Sequence, residues 1–514
     1  MNKQQIVKSG IWQLFNTAVI FISNLGYYAI MARAIPNAKE AFGILALLNA
    51  CMNFGNVVAE AGMGDALLQR KHVAPQHKNA ALYFSISTAV FFYLILFFIA
   101  PLLAGFFHEE QLTVGLRTIG LSFILYSLGS SSINLLQKEM QFKKIFFSDS
   151  LSLLASNVLG IVLAYNGFGV MSLVYSTLFY NTCKVIMLWI QEPIPLKLGT
   201  TLQHWKDLFN YGIVLTLIRI TNYVSTSGIN FLIGKIVPIT SLGIFERSTR
   251  TVNLPGRYVG DIVQRISLPV MLKIDNDDDL FKTFYKSLSF LHCLLVPLSI
   301  FFCVFSKPLV LILLGPRWLD AVWPLHLMFL GLPFQIAVRL CDGVMRVKGL
   351  LMNNLQRKII SVVLLCILIY IGSRWGITGV SGGILVAAIV NYYIMLIYKT
   401  QVFPTMWKQL IIKPFLNGTV FAIYLTIPSF ALFEGFTYFL HSKEVPAFLF
   451  MSSLVGLFLG YAFFKKPKLL GKDFAPVREV LMDIRKGKKK KAQKQQEQEH
   501  EVIVKKQEIS ENIN

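Results

Sequence analysis

Apolar runs of membrane-crossing length return after each short polar loop from residue 11 to residue 464. The stretches 81–107, 359–371 and 447–464 are three of them, and no soluble core could absorb so many. A mean hydropathy of +0.57 with only 15% charged residues extends that reading to the whole chain. Lipid is the solvent for most of this protein. A backbone in lipid must satisfy its own hydrogen bonds, and single runs of this length do so as helices. About fourteen spans of roughly 20 residues fit the chain, beginning near residues 11, 42, 81, 114, 145, 168, 209, 242, 288, 322, 359, 377, 412 and 446. The spans near 242 and 322 carry several charges each. A short N-terminus without a small-residue cleavage site precedes the first span, so no cleavable signal is expected.

The net charge is +22. Residues 465–514 hold 14 Lys and Arg against 8 Asp and Glu, which leaves 35 cations against 19 acids in the body of the chain. Loops with Arg70, Lys71 and Lys78, with Lys138, Lys143 and Lys144, and with Arg346, Lys348, Arg357 and Lys358 are rich in cations. The alternate loops 108–112, 166–169 and 374–376 are poor in them. Cation-rich loops stay inside, so both termini are expected in the cytoplasm. The six cysteines all fall within expected spans, with no CxxC pair, so neither disulfides nor a metal site is expected.

The chain looks written twice. Residues 31–47 read MARAIPNAKEAFGILAL and residues 232–245 read LIGKIVPITSLGIF, with Gly43 and Gly243 in matching places. YNGFGVMSLV at 165–174 and RWGITGVSGGI at 374–384 make a second pair at a similar offset. Internal repeats in polytopic chains build two bundles with a substrate site between them. The expected organisation is an N-terminal transmembrane lobe at 1–200, a C-terminal transmembrane lobe at 201–400, two extra helices at 401–465 and a basic cytoplasmic tail at 466–514. In the tail, Phe474, Val477, Leu481 and Ile484 recur at helical spacing, predicting an interfacial helix. The cluster RKGKKKK at 485–491 then faces anionic lipid, at about 1 kcal/mol per cation, and disordered sequence follows. A membrane surface accounts for this charge, so nucleic acid is not an expected partner.

A charge inside a span costs roughly 2.5–3.5 kcal/mol or more and needs a partner or a task. Arg219 lies mid-span among Thr216, Asn222 and Tyr223, and Lys184 lies inside the sixth span. Neither has an acid on its own helix face, so both are read as lining a polar cavity. Arg339 and Asp342 are three residues apart and share a face, either as an internal ion pair or as cavity residues. Arg117, Arg247, Arg250 and Arg265 lie nearer span ends, where long cations snorkel. The acidic run 275–279 reads as a solvated linker. An excess of buried cations suits a polyanionic headgroup such as a diphosphate, and scattered Asn and Tyr suit a sugar. No GxSxG, Walker, kinase or HExxH pattern occurs, so neither an enzyme nor a cofactor is expected.

Several blocks together resemble the polysaccharide transporter branch of the multidrug/oligosaccharidyl-lipid/polysaccharide exporter superfamily. They are ARAIPNAKEAFGILAL…GNVVAEAGMGDALLQRK at 32–71, LLQKEMQFKK at 135–144, LGIFERSTRTVNLPG at 242–256, LILLGPRW at 311–318 and GITGVSGG at 376–383. The lysine-rich tail is not a general feature of that family. The resemblance implies an all-α polytopic membrane protein with about fourteen transmembrane helices in two pseudo-repeated lobes around a central cavity. It implies a flippase for undecaprenyl-diphosphate-linked oligosaccharide in the bacterial cytoplasmic membrane. Membrane lipids and the lipid-linked substrate are its partners, with a polysaccharide polymerase as a candidate further one. Two alternatives stand beside it. A cation-coupled antiporter of the same superfamily would rely on an acid in the first lobe, where Glu60 and Asp149 are the obvious substitutes. An integral-membrane polymerase or ligase would need a sizeable outside loop, and every outside loop is short.

Overall fold

The computed structural model describes residues 3–60, 75–193, 223, 227–272, 274, 276–348 and 350–400, with single positions between 426 and 452. Every regular element among them is helical. In chain order they are α1 (Lys3–Ala34), α2 (Ala38–Glu60), α3 (Pro75–Phe107), α4 (Gln111–Ile119), α5 (Leu121–Lys138), α6 (Phe142–Tyr165) and α7 (Val170–Gln191). There follow α8 (Ile229–Ile236), α9 (Ile239–Met271), α10 (Asp277–Val304), α11 (Ser306–Leu313), α12 (Val322–Val347), α13 (Leu351–Gly372) and α14 (Gly376–Thr400). Short 3-10 turns at Pro316–Ala321 and Ser373–Trp375 precede α12 and α14.

Eight stretches of the described residues are long and apolar enough to cross a membrane, and the chain is a multi-pass membrane protein. Spans expected near residues 11, 42, 81, 114, 145, 168, 242, 288, 322, 359 and 377 fall on helices. Those expected near 209 and 412, most of the one near 446, and the whole tail at 466–514 lie outside the described residues. Helix α9 is absent from the eight apolar stretches, because Glu246, Arg247, Arg250, Arg257, Asp261 and Arg265 punctuate its 33 residues. Such a helix is stable in lipid only where neighbours supply partners for its charged side.

The described residues form two compact units. One comprises Met1–Pro255, Phe305–Gly331 and Met352–Asn391; the other comprises Gly256–Val304, Leu332–Leu351 and the described residues from Tyr392 onward. In the first unit α6 packs between α1 and α7. Gly160 makes that approach possible: a Cβ there would lie 2.4 Å from the Tyr27 hydroxyl, which shares a 2.8 Å hydrogen bond with Ser176 of α7. Small residues let helices in lipid close on each other where no hydrophobic force drives them together. In the second unit Gly256 and Gly260 of α9 receive Leu332 and Ile336 of α12. There the Tyr392 ring packs against Phe334 and the fully buried His292.

The tightest approach joins α2 and α9 in the first unit. A Cβ on Gly43 would sit 2.0 Å from the carbonyl oxygen of Ile239, and one on Gly243 would sit 1.9 Å from that of Lys39. The contact is reciprocal, since both glycine and carbonyl positions are related by an offset of 200 residues. Two helices that present the same patch to each other make such a local two-fold contact. The paired glycine turns both hold a glycine at positive φ, +84° at Gly167 and +66° at Gly376.

Gly43→Ala should force the two backbones apart and lower the thermal stability of the purified protein, by an overpacking cost of about 1–3 kcal/mol. Gly26→Ala, where an added Cβ meets nothing within 4 Å, should not lower it. Equal melting of the parent and Gly43→Ala would show that the α2–α9 contact is looser than described.

Candidate functional site

Two clusters of charge are built into the first unit, each from more than one helix. In the first, Asp149 of α6 lies 2.7 Å from the Lys184 ammonium of α7. Asn16 of α1 donates to its other carboxylate oxygen at 3.0 Å. Tyr180, one turn before Lys184, donates to Asp149 at 3.5 Å and accepts from Lys184 at 3.5 Å. Serines at 148, 152 and 156 keep this stretch of α6 slim and buried against its neighbours. A buried carboxylate is tolerable when opposite charge and donors surround it, and both oxygens of Asp149 are engaged. Lys184 has no acid along its own helix because its acid comes from the adjacent one.

In the second cluster Glu246, Arg247 and Arg250 lie along α9. Glu246 accepts from Arg250 one turn on, and Arg247 Nη2 lies 3.6 Å from the same oxygen. The Arg247 guanidinium is clamped between two rings, 4.3 Å from the centroid of Tyr28 on α1 and 4.3 Å from that of Phe42 on α2. Desolvated cation–π contacts of this kind contribute about 2 kcal/mol each. Arg247 is only 3% exposed, yet its Nε and Nη2 make no hydrogen bond. The Arg250 side chain is 43% exposed. Two guanidinium groups share one carboxylate, leaving a net positive charge with unused donors. Planar guanidinium forks match the oxygens of phosphate.

The snorkelling expected of Arg247 gives way to burial, because the clamping rings belong to distant helices and leave no trace in the pattern of α9. Arg357 also departs from expectation. Read as a cation of an inside loop, it lies within α13, which starts at Leu351 rather than near 359, and is 2% exposed. Its guanidinium donates to Asn391 at 2.6 Å and to Asn354 at 3.1 Å, and Ser361 donates to Asn391 at 2.6 Å. The asparagines interrupting the apolar runs of α13 and α14 were its available signal.

Of the other expected site residues, Tyr223 is buried beside Phe54 and donates to the carbonyl of Ala50 at 2.8 Å. Arg339 and Asp342 lie one turn apart on α12 in the second unit, Arg339 exposed and Asp342 half-buried. Arg219 and Asn222 lie outside the described residues. None of the six cysteines, all of them among the described residues, is joined in a disulfide.

The sequence pattern of the family described as "Polysaccharide biosynthesis protein" matches residues 30–323. The chain belongs to that family. It is 23% identical over 330 residues to the teichuronic acid biosynthesis protein TuaB of Bacillus subtilis (strain 168), covering 62% of this chain and 66% of that one. It is 20% identical to the lipopolysaccharide biosynthesis protein WzxC of Escherichia coli (strain K12), over 83% of this chain and 86% of that one. Among solved structures, the lipid II flippase MurJ in an inward closed conformation superposes with a TM-score of 0.65 at 15% identity, over 88% of this chain and 99% of that one. That likeness establishes a shared fold.

Removing one partner of the buried ion pair should destabilise the protein by about 3–5 kcal/mol. Asp149→Asn and Lys184→Met should therefore each deplete it from the membrane, and the double variant should recover much of the loss. Quantitative blotting of membrane fractions checks this; a double variant as depleted as the singles would contradict the pairing.

Proposed function

We infer that the protein is a flippase that carries undecaprenyl-diphosphate-linked oligosaccharide from the cytoplasmic to the periplasmic leaflet of the bacterial inner membrane. The observation that carries this reading is the Arg247–Arg250 pair, a fixed and a more exposed guanidinium sharing one acid within the membrane-embedded helices. Family membership and relatives named for polysaccharide biosynthesis support it.

In this mechanism the N-terminal lobe at 1–200 and the C-terminal lobe at 201–400 of the expected organisation face a central cavity. Arg250 meets the diphosphate first, because Arg247 is held by its rings and Glu246. Arg247 supplies a standing positive charge with unused donors and gives the headgroup a second contact once it enters. Arg219, Asn222 and Tyr223 contribute a further cation and hydrogen bonds along the path, and Lys184 stays paired with Asp149. The lipid tail stays in the bilayer while the glycan passes through the polar interior. Both termini lie in the cytoplasm, and a polysaccharide polymerase receives the product. Against the antiporter reading stands the state of Asp149, whose oxygens are already taken by Lys184 and Asn16.

Arg250→Ala should reduce surface polysaccharide by about tenfold or more, in keeping with roughly 1.5–3 kcal/mol for a hydrogen bond to a charged group. Arg250→Lys should retain part of the export, since it keeps the charge and loses the fork. Surface glycan is measured at matched membrane abundance. Full export from Arg247→Ala/Arg250→Ala would overturn the reading.

A further inference from the structure

The segment containing LILLGPRW, singled out by the sequence and not used by the headgroup site, is tied to the first helical hairpin by three separate contacts. The Arg33 guanidinium at the end of α1 donates to the carbonyls of Leu311 at 2.9 Å, Ile312 at 2.6 Å and Leu313 at 3.2 Å. These are the last carbonyls of α11, which have no partners within their own helix and carry its negative dipole end. The chain then reverses at Gly315, whose φ of +94° disfavours any side chain, in a turn that packs against Arg33. Trp318 follows, fully buried, its indole N–H donating to the Ala32 carbonyl at 3.3 Å. Asp320 closes the set by pairing with Lys39 at the start of α2.

This junction lies beside the Gly43–Gly243 crossing, and one further tie lies at the same end of the unit. Lys235 of α8 donates to the Phe106 carbonyl at 2.7 Å. Segment 106–107 adjoins the loop 108–112 that the charge pattern places outside, and alternation of the expected spans from a cytoplasmic N-terminus puts 34–38, 235–239 and 311–320 on the same side. Phe42 links the junction to the cationic cluster: its ring lies 5.7 Å from Trp318 and 4.3 Å from the Arg247 guanidinium.

We propose that residues 306–320 form an outer latch, in which the Arg33-capped helix α11, the buried Trp318 and the Lys39–Asp320 pair hold the α1–α2 hairpin closed against α9, and that the latch must part for substrate to leave. This rests on the flippase reading. The Arg33 and Lys39–Asp320 ties are polar and solvent-facing, so water replaces them on opening. The crossing beneath has no side chains at the two glycines and parts without repacking there. Phe42 places a released latch and a headgroup at Arg247 on the same ring, so occupancy of the cationic site bears directly on the closure.

The test uses the full-length protein in oriented vesicles. Lys39→Cys/Asp320→Cys is bridged with a short reducible bis-thiol reagent, with each single cysteine variant as control. Translocation of a fluorescent polyprenyl-diphosphate oligosaccharide should fall at least tenfold on bridging and return on reduction, which separates arrest from misfolding. Separately, Arg33→Ala should raise outside labelling of Ala46→Cys by an impermeant maleimide several-fold over the same cysteine with Arg33 intact; Ala46 is fully buried one turn below the crossing. Unchanged translocation in the bridged protein, or unchanged labelling at residue 46, would overturn the latch. Labelling needs no substrate. A protein whose latch releases in this way yet moves no lipid-linked oligosaccharide would support the latch and overturn the flippase reading.

Discussion

A charge dissolved in hydrocarbon is costly enough that each one must find its counterpart before the helices around it can settle. In this protein the counterparts come from other helices. Asp149 of α6 draws Lys184 from α7 and Asn16 from α1, which fixes the rotation of three helices about their axes. Arg247 of α9 draws the rings of Tyr28 and Phe42, which pins α9 to the first hairpin. Arg357 draws Asn391 across the α13–α14 hairpin. Apolar packing alone would leave helix rotation weakly defined, because lipid tails compete equally for apolar side chains. The polar contacts supply the register that the apolar faces cannot.

Close approach does the complementary work. Where α2 meets α9, both helices offer a glycine to the other's carbonyl, and the separation is set by backbone contact rather than by side chains. At the two glycines no side chains interlock, and beside them the rim is held by Arg33, Lys39 and Trp318. The cationic pair at Arg247 and Arg250 starts about one turn beyond that crossing along α9. In the proposed mechanism recognition and closure therefore share one short stretch of helix, and Phe42 touches both Trp318 and Arg247.

Most of the spans were legible because they are unbroken apolar runs, and the expected spans between residues 11 and 400 that lie among the described residues coincide with helices. Gly43 and Gly243 were legible as a pair because a repeat leaves matching residues at a fixed offset. The partners of buried charges were not. Lys184 lacked an acid when only its own helix was considered, and Asp149 lies 35 positions earlier. Arg247 looked like an end-of-span cation because its clamp arrives from residues 28 and 42. Arg357 was misplaced by a helix start: the polar residues of 351–358 continue α13 instead of ending a loop. Long-range pairing is a property of the packed bundle, and a hydropathy profile has no term for it.

The central claim is that this bundle selects its cargo by the diphosphate. Purified protein reconstituted into vesicles offers the direct measurement, with polyprenyl oligosaccharides joined through a diphosphate, a monophosphate or a neutral glycosidic link. Leaflet exchange is followed by quenching of a fluorophore on the sugar. The account predicts protein-dependent movement of the diphosphate form, slower movement of the monophosphate and none of the neutral form. Equal rates for all three would contradict it.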